Sequence, residues 1–119
     1  MSPRVEPALL QRIENLTGED GACCVDDLQA EAAQLRSPEF RRALLQAKAL
    51  GDESRLLAAM LLKRHDEMCG CEIQAALRLT HATVSHHMGV LQQAQIVSME
   101  RRGKWAYYRL VPESRASIP

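Results

Sequence analysis

The sequence predicts a mainly α-helical fold that carries one small β-hairpin. Apolar residues recur at helical spacing over most of the 119 residues, whereas one segment alternates polar and apolar residues around a glycine turn. Aromatic residues make up only 3% of the chain, so the core must consist mainly of Leu, Ala, Ile, Val and Met. A chain of this length can form its own core, but it is close to the size at which a dimer interface adds needed burial.

Two short helices joined by a tight turn are predicted between Glu72 and Gln95. Thr80 is placed to cap the second helix, because its hydroxyl can accept a hydrogen bond from the backbone N–H of residue 82 or 83. Helical spacing predicts the buried faces of the pair, which are Ile73, Ala76 and Leu77 in the first helix and Val84, Met88 and Leu91 in the second.

The opposite face of the second helix is polar and lacks carboxylates, which suits a surface that approaches phosphates and base edges. Its members are His81, Thr83, Ser85, His86 and Gln92. A helix pair of this kind can also be plain core architecture, so the pair alone leaves both interpretations open.

Two alternating strands follow the helix pair and enclose a turn at Gly103. The tip of this hairpin is basic, with Arg101, Arg102 and Lys104. A hairpin beside a recognition helix can reach phosphates or the adjacent minor groove, although a basic tip can also be a solvated charge cluster. Helix, turn, helix and basic hairpin together predict a winged helix-turn-helix that reads double-stranded DNA.

Charge is unevenly distributed although the formal net charge is zero. Residues 1–35 hold seven acidic and two basic residues, whereas residues 78–109 hold five basic residues and one acidic residue. DNA affinity depends on such a local patch, and a dimer would present two of them. The chain has no long apolar run and no signal-peptide pattern, which predicts a cytoplasmic protein without a membrane partner.

The four cysteines form two pairs, Cys23-Cys24 and Cys69-Gly70-Cys71. An acidic loop over residues 19–22 is expected to lead to the first pair, and Asp26 or Asp27 is expected to cap a helix over residues 28–35. In a reducing compartment such pairs are more often metal ligands or redox groups than structural disulfides. Residues i and i+2 of a regular helix point apart, so the thiols of Cys69 and Cys71 can meet only where the chain is extended or turning, a bend that Gly70 permits. The start of the following helix also favours the thiolate form.

A soft ion prefers three or four sulfur ligands, so Cys23 and Cys24 are the predicted source of the ligands that Cys69 and Cys71 leave missing. Three sulfurs would suit As(III) or Pb(II), and four would suit Cd(II) or Zn(II). Two alternatives remain open, namely cysteines that are simply small buried apolar residues and a redox pair.

Residues 38–110 resemble the ArsR/SmtB family of metal-responsive winged-helix repressors. Four segments carry the resemblance, and they are residues 49–56 (ALGDESRL), 68–73 (MCGCEI), 83–91 (TVSHHMGVL) and 103–110 (GKWAYYRL). The resemblance implies a homodimer that binds a palindromic operator without metal and dissociates when an ion binds. Members with CxC at this position, such as arsenic, cadmium and lead sensors, use it as the inducer site.

The sequence also departs from the pattern of that family. Gln74 stands where some arsenical sensors have a third cysteine, so the resemblance implies that Cys23 or Cys24 completes the site, as N-terminal cysteines do across subunits in cadmium and lead repressors. The Asp and His ligands of zinc and nickel sensors and the usual C-terminal dimer helix are missing. The apolar stripe near the N-terminus, with Leu9, Leu10, Ile13 and Leu16, is expected to serve dimerisation instead.

We therefore expect an N-terminal extension over residues 1–37, a winged helix-turn-helix domain over 38–110 and a loose tail over 111–119. The predicted function is repression relieved by As(III), Sb(III), Cd(II), Pb(II) or Zn(II). One rival is a redox- or persulfide-sensing repressor of the same fold, and another is a metal carrier or interaction protein that does not bind DNA. No nucleophile and base are paired at a recognisable spacing, so an enzyme is not expected.

Overall fold

The computed structural model describes residues 6–18 and 21–119. The chain divides into two compact units, Met1–Arg41 and Arg42–Pro119. No helix in the described part of the chain is long and apolar enough to cross a lipid bilayer.

The first unit contains α1 (Pro7–Thr17) and α2 (Gly21–Leu35), which pack against each other. Pro7 opens α1, and Gly18 ends it with φ 73° in the left-handed region. The sequence predicted an acidic loop over residues 19–22, of which Glu19 and Asp20 lie outside the described residues. Gly21 and Ala22 already belong to α2, so the expectation that this helix starts near Asp26 or Asp27 is wrong. The segment is rich in Ala, Leu and Gln, and this helix propensity extends the helix past both acidic residues.

Helix α3 (Pro38–Leu50) crosses the boundary between the two units. Ser37 caps it, because the Ser37 hydroxyl accepts a hydrogen bond from the backbone N–H of Phe40 at 3.3 Å. The second unit continues with α4 (Glu53–Arg64), α5 (Gly70–Leu77) and α6 (His81–Gln93). Its three strands are β1 (Met68–Cys69), β2 (Val97–Arg102) and β3 (Trp105–Leu110).

Helices α5 and α6 form the predicted helix-turn-helix. Arg78 ends α5 in the left-handed region with φ 57°, and the Thr80 hydroxyl accepts a hydrogen bond from the Thr83 backbone N–H at 3.3 Å. The predicted cap is therefore confirmed. Burial confirms the inner face of the pair at Ile73, Val84, Met88 and Leu91, and Leu77 packs partly buried against the core. Ala76 is exposed, which corrects the prediction for that residue.

The strands form one antiparallel sheet in the order β1-β3-β2. In the hairpin, Val97 pairs with Leu110 and Arg102 with Trp105, so Gly103 and Lys104 form a two-residue turn. Gly103 has φ 64°, which only glycine adopts readily at the start of such a turn. The sequence predicted this hairpin but not β1, which pairs Met68 with Tyr108 and Cys69 with Tyr107.

The C-terminal segment is ordered, which corrects the prediction of a loose tail over residues 111–119. Residues Pro112–Ser117 form a 3-10 helix, and Ile118 is 2% exposed within the core. The Ser114 hydroxyl donates to the Gln95 carbonyl at 3.1 Å, and Lys63 Nζ donates to the Ile118 carbonyl at 2.6 Å. A single apolar residue anchored in this way leaves no periodic signal in the sequence.

Replacing Ile118 with alanine is expected to lower the free energy of unfolding by about 2–5 kcal/mol, because it leaves a cavity in the core. Urea denaturation followed by circular dichroism measures this loss, with the exposed Ser117→Ala as the matched control. Equal stability of the two variants would show that the C-terminal segment does not dock.

Candidate nucleic-acid interface and cysteine site

Helix α6 presents a polar, exposed surface on the side opposite its buried residues. His81, Ser85 and His86 are exposed, as the sequence predicted. Thr83 and Gln92 lie at the edges of this surface and are half-buried, and the Thr83 hydroxyl is 2.9 Å from that of Thr80. The prediction missed Ala82 and Gln93, which are also exposed and which a 3.6-residue period would have placed beside Ser85 and His86.

A cleft of about 220 Å³ separates the start of α6 from the hairpin. We call it the wing cleft. The side chains that line it include those of Cys71, Gln74, His81, Ser85, Arg101 and Lys104. The described residues that line it include no Asp or Glu. Lys104 Nζ also lies 5.4 Å from the ring centroid of Trp105, a half-exposed side chain that forms part of the cleft wall. The cleft therefore combines two cations, a cysteine and an aromatic ring beside the candidate recognition helix.

The three basic residues predicted at the hairpin tip do not share one face. Side chains alternate along a strand, so Arg101 and Arg102 point to opposite sides of the sheet. Arg101 lines the wing cleft, whereas both terminal nitrogens of Arg102 donate to Glu67 at 2.6 Å. The alternation of side chains along β2 is enough to predict that these two arginines lie on opposite faces. Nothing in the sequence, however, indicates that Arg102 binds Glu67, which is 35 residues away.

Glu67 binds two arginines on the face of the sheet that points away from the wing cleft. Arg102 forms a bidentate pair with it, and Arg109 Nη2 donates to Glu67 Oε2 at 2.8 Å. The Arg102 guanidinium also lies 4.4 Å from the Tyr107 ring centroid. Hydrogen bonds from Arg102, then from Arg109, lower the pKa of Glu67 from its usual 4.5 to about 2. This Glu67 clamp joins the residue next to β1 to both strands of the hairpin.

His87 faces into the domain rather than towards the polar surface of α6. Arg55 Nη1 lies 3.1 Å from His87 Nδ1, and Arg55 Nε donates to the Ala49 carbonyl at 2.7 Å. Asp52 caps α4 by accepting the Arg55 backbone N–H, which is the main cause of the lowered pKa of its carboxyl. His87 therefore hydrogen-bonds within the domain, where it fixes α6 to the start of α4.

The structure brings Cys69 and Cys71 together as a disulfide-linked pair with a Cα–Cα distance of 5.5 Å. Cys69 ends β1 and is the N-cap residue of α5, while Cys71 lies in the first turn of that helix. The Cys69 backbone N–H donates to Glu72 Oε1 at 2.9 Å, which holds the chain at the junction between strand and helix. The prediction that the two sulfurs meet where the chain turns is confirmed.

Gly70 is not what makes this bend possible. Its φ is not in the left-handed region, and a Cβ added to it would lie 3.7 Å from the Tyr108 ring, an ordinary van der Waals distance. The bend follows instead from the change of strand into helix at Cys69.

The other two predicted metal ligands are only partly visible. Cys23 and Cys24 belong to α2, but their side chains lie outside the described part of the structure. These two cysteines therefore lie on helical rather than extended backbone. No cluster of three or more His, Cys, Asp or Glu side chains suited to a metal occurs within the described residues.

Comparison with known proteins identifies the family. Residues 52–99, which span the helix pair and the start of the hairpin, match the family described as "Bacterial regulatory protein, arsR family". The chain is 35% identical to an uncharacterized HTH-type transcriptional regulator of Methanocaldococcus jannaschii over 75 residues, which cover 63% of this chain and 84% of that protein. The chain belongs to the arsR family. The resemblance seen in the sequence is thereby confirmed.

A further relative of this arsR-family chain is named for arsenic. The chain is 41% identical over 66 residues to the arsenic resistance transcriptional regulator ArsR1 of Pseudomonas putida, covering 56% of this chain and 52% of that protein. The chain thus matches about half the length of that relative. The family is one of transcription regulators, which agrees with the expectation that the chain is not an enzyme.

The fold is also that of a solved winged helix-turn-helix structure. A homodimeric winged helix-turn-helix DNA-binding domain from Mycobacterium bovis, described as a possible ArsR-family transcriptional regulator, superposes with a TM-score of 0.60 at 26% identity. The superposition covers 66% of this chain and 72% of that one. The predicted winged helix-turn-helix is therefore confirmed.

The Glu67 clamp predicts a pH-dependent contribution to stability. Because the carboxyl pKa is lowered on folding, the clamp stabilises the protein fully above pH 4.5 and loses that effect as the pH falls towards 2. Thermal melts should show Glu67→Gln less stable than wild type at pH 7, with a difference that shrinks steadily as the pH is lowered from 4.5 to about 2.5, and the exposed Glu113→Gln serves as a control. A stability difference that does not change between these pH values would contradict the clamp.

Proposed function

We propose that this arsR-family chain is a transcriptional repressor that binds operator DNA as a homodimer and is released when a thiophilic ion binds Cys69 and Cys71. One observation carries the proposal, namely the position of this cysteine pair between the two DNA-reading elements. Cys69 pairs with Tyr107 of wing strand β3, and Cys71 lies in α5, which leads directly into α6. A change at the sulfurs would therefore act on the wing and the recognition helix together.

The exposed face of α6 and the wing cleft would form the DNA interface. We assign base-edge contacts to His81, Ser85 and His86 of α6, with Thr83 and Gln92 at the margins. Arg101 and Lys104 would contact phosphates, since their charges lie on the same side as α6. Arg102 would instead stiffen the hairpin through Glu67, which revises its role from that expected from the sequence.

Dimer formation is supported by exposed apolar side chains and by the homodimeric relative from M. bovis. At least two-fifths of the surface of each of these large side chains is exposed: Leu9, Leu16, Leu28, Leu35, Phe40, Leu44, Leu45 and Leu57. Leu9 and Leu16 belong to the α1 stripe that the sequence analysis assigned to dimerisation. Their burial between two chains would give the two recognition helices that a palindromic operator requires.

The inducer site would use the thiolates of Cys69 and Cys71, with Cys23 or Cys24 supplying the remaining sulfur. The pair fits a soft ion, because the two sulfurs already meet and the start of α5 stabilises negative charge. As(III) or Sb(III) fits a three-sulfur site and agrees with the name of the P. putida relative. Cd(II), Pb(II) and Zn(II) remain the alternatives, which four sulfurs would favour.

The disulfide between Cys69 and Cys71 favours a second candidate, a redox-sensing repressor of the same fold. In that case oxidation of the pair, rather than an ion, would release DNA, and a thiol reductant would restore binding without metal.

The proposed DNA interface implies that two neighbouring arginines contribute differently to DNA binding. Arg101→Gln should weaken binding to a duplex carrying the chain's own promoter, and it should lower the salt dependence of log K by about one for each phosphate that is no longer neutralised. Arg102→Gln, its neighbour, should leave that salt dependence unchanged, because its guanidinium lies on the other face. Fluorescence anisotropy over a range of salt concentrations measures both, and equal weakening in the two variants would show that both arginines contact DNA.

The proposed inducer site implies that Cys69 is required for the release of DNA by arsenite but not for DNA binding. Cys69→Ser should bind the promoter duplex as wild type does, while arsenite should no longer release the duplex. The same anisotropy assay, run under reducing conditions, measures release. If arsenite still releases the duplex from Cys69→Ser, Cys69 is not an ion ligand. If arsenite does not release the duplex from the wild-type protein but the thiol oxidant diamide does, the redox candidate is favoured.

A further inference from the structure

The two cysteines of the pair differ in their exposure. Cys71 is exposed and lines the wing cleft, whereas Cys69 is 7% exposed and is not part of the cleft wall. A reagent in solution therefore meets the sulfur of Cys71 first. The sulfur of Cys69 is within reach of Cys71 but is shielded from the cleft.

The surroundings of Cys71 select for negative charge. Arg101 and Lys104 line the same cleft, and none of the described carboxylates does. Cys71 lies in the first turn of α5, where the helix dipole adds further positive potential. The cleft is smaller than the roughly 300–1,000 Å³ of most ligand pockets, so it would hold one end of a small molecule rather than all of it.

We propose that the wing cleft is a docking site for small anionic disulfides, and that Cys71 is the residue they modify. The Cys71 thiolate attacks one sulfur of a disulfide RSSR, forms a Cys71–SR mixed disulfide and expels RS⁻. The Cys69 thiolate then attacks the Cys71 sulfur, expels the second RS⁻ and forms the Cys69–Cys71 disulfide. In total, the dithiol is oxidised by two electrons, RSSR is reduced to two thiols, and Cys69 acts as the resolving cysteine.

The geometry supports both steps. The Cα–Cα distance of 5.5 Å lies in the usual range for a disulfide, so Cys69 can resolve the adduct without a large movement of the backbone. The carboxylates of RSSR would lie near Arg101 and Lys104. The reaction does not depend on DNA binding, but its consequence rests on the proposed function, because an anionic adduct in the cleft would occupy the place of a DNA phosphate.

The test uses the reduced full chain without DNA or metal, with Cys23 and Cys24 changed to serine so that only the pair reacts. Oxidised glutathione is the anionic probe, 2-hydroxyethyl disulfide is the neutral probe, and intact mass spectrometry follows both reactions. In the Cys69→Ser background the glutathione adduct should accumulate on Cys71. With Cys69 present, the adduct should give way to the internal disulfide. Cys71→Ser should react slowly, because the remaining thiol is buried.

Charge selectivity is tested by Arg101→Gln combined with Lys104→Gln. In the Cys69→Ser background, this change should slow adduct formation with oxidised glutathione by about tenfold and leave the rate with the neutral probe unchanged. Arg109→Gln is the matched control, since that residue belongs to the same hairpin but binds Glu67 on the opposite face, and it should leave both rates unchanged. Near-ultraviolet circular dichroism of Trp105, the single tryptophan, confirms that each variant is folded.

Equal rates for the two probes in wild type, or equal slowing by Arg109→Gln, would overturn the docking site. Reaction of Cys71→Ser at the rate of Cys69→Ser would overturn the assignment of Cys71. Failure of the chain to bind promoter DNA would remove the proposed function but leave these rates unaffected, so the two failures are distinguishable.

Discussion

The pairing of Met68 and Cys69 with the wing strand β3 is the interaction on which the arrangement of the candidate site depends. This strand is only two residues long, yet it ends at the N-cap of α5 and holds Cys69 against Tyr107. Without it the cysteine pair would belong to a loop and would be linked to the DNA-reading elements only through the chain. With it, the pair is fixed to the wing on one side and to the helix-turn-helix on the other.

Two polar clusters extend this arrangement beyond the cysteines. The Glu67 clamp holds the residue just before β1 to Arg102 and Arg109, so the wing is attached to β1 by side chains as well as by the backbone. On the far side of α6, His87 contacts Arg55, which fixes this candidate recognition helix to α4. An ion that pulls on the cysteine pair would thus move elements that are already rigidly connected, and the coupling needs only about 1–3 kcal/mol.

Much of this fold could be predicted from the sequence, because its signals are local. The cap at Thr80, the apolar spacing of Val84, Met88 and Leu91, and the glycine turn of the hairpin each depend on residues a few positions apart. Strand β1 could not be predicted, since two residues are too few to show a period. The docking of Ile118 could not be predicted either, because nothing in the sequence distinguishes a single buried isoleucine from an exposed one. The division of Arg101 and Arg102 between two faces follows from strand alternation, but the partner of Arg102 is distant in sequence. Helix α2 also begins at Gly21 and includes Cys23 and Cys24, ahead of the start near Asp26 or Asp27 that the sequence predicted, because the strong helix formers that follow extend it towards the N-terminus.

We infer that ion binding at Cys69 and Cys71 is transmitted to both the wing and the candidate recognition helix. Amide chemical shifts of the reduced, isotope-labelled protein, recorded while arsenite is added, test this claim most directly. We predict shifts in α5, in the first turns of α6 and at Tyr107 and Tyr108 of β3, all following one binding curve. Shifts confined to residues 69–71 and their immediate neighbours in sequence would contradict the account, because the pair would then bind the ion without influencing the surface that reads DNA.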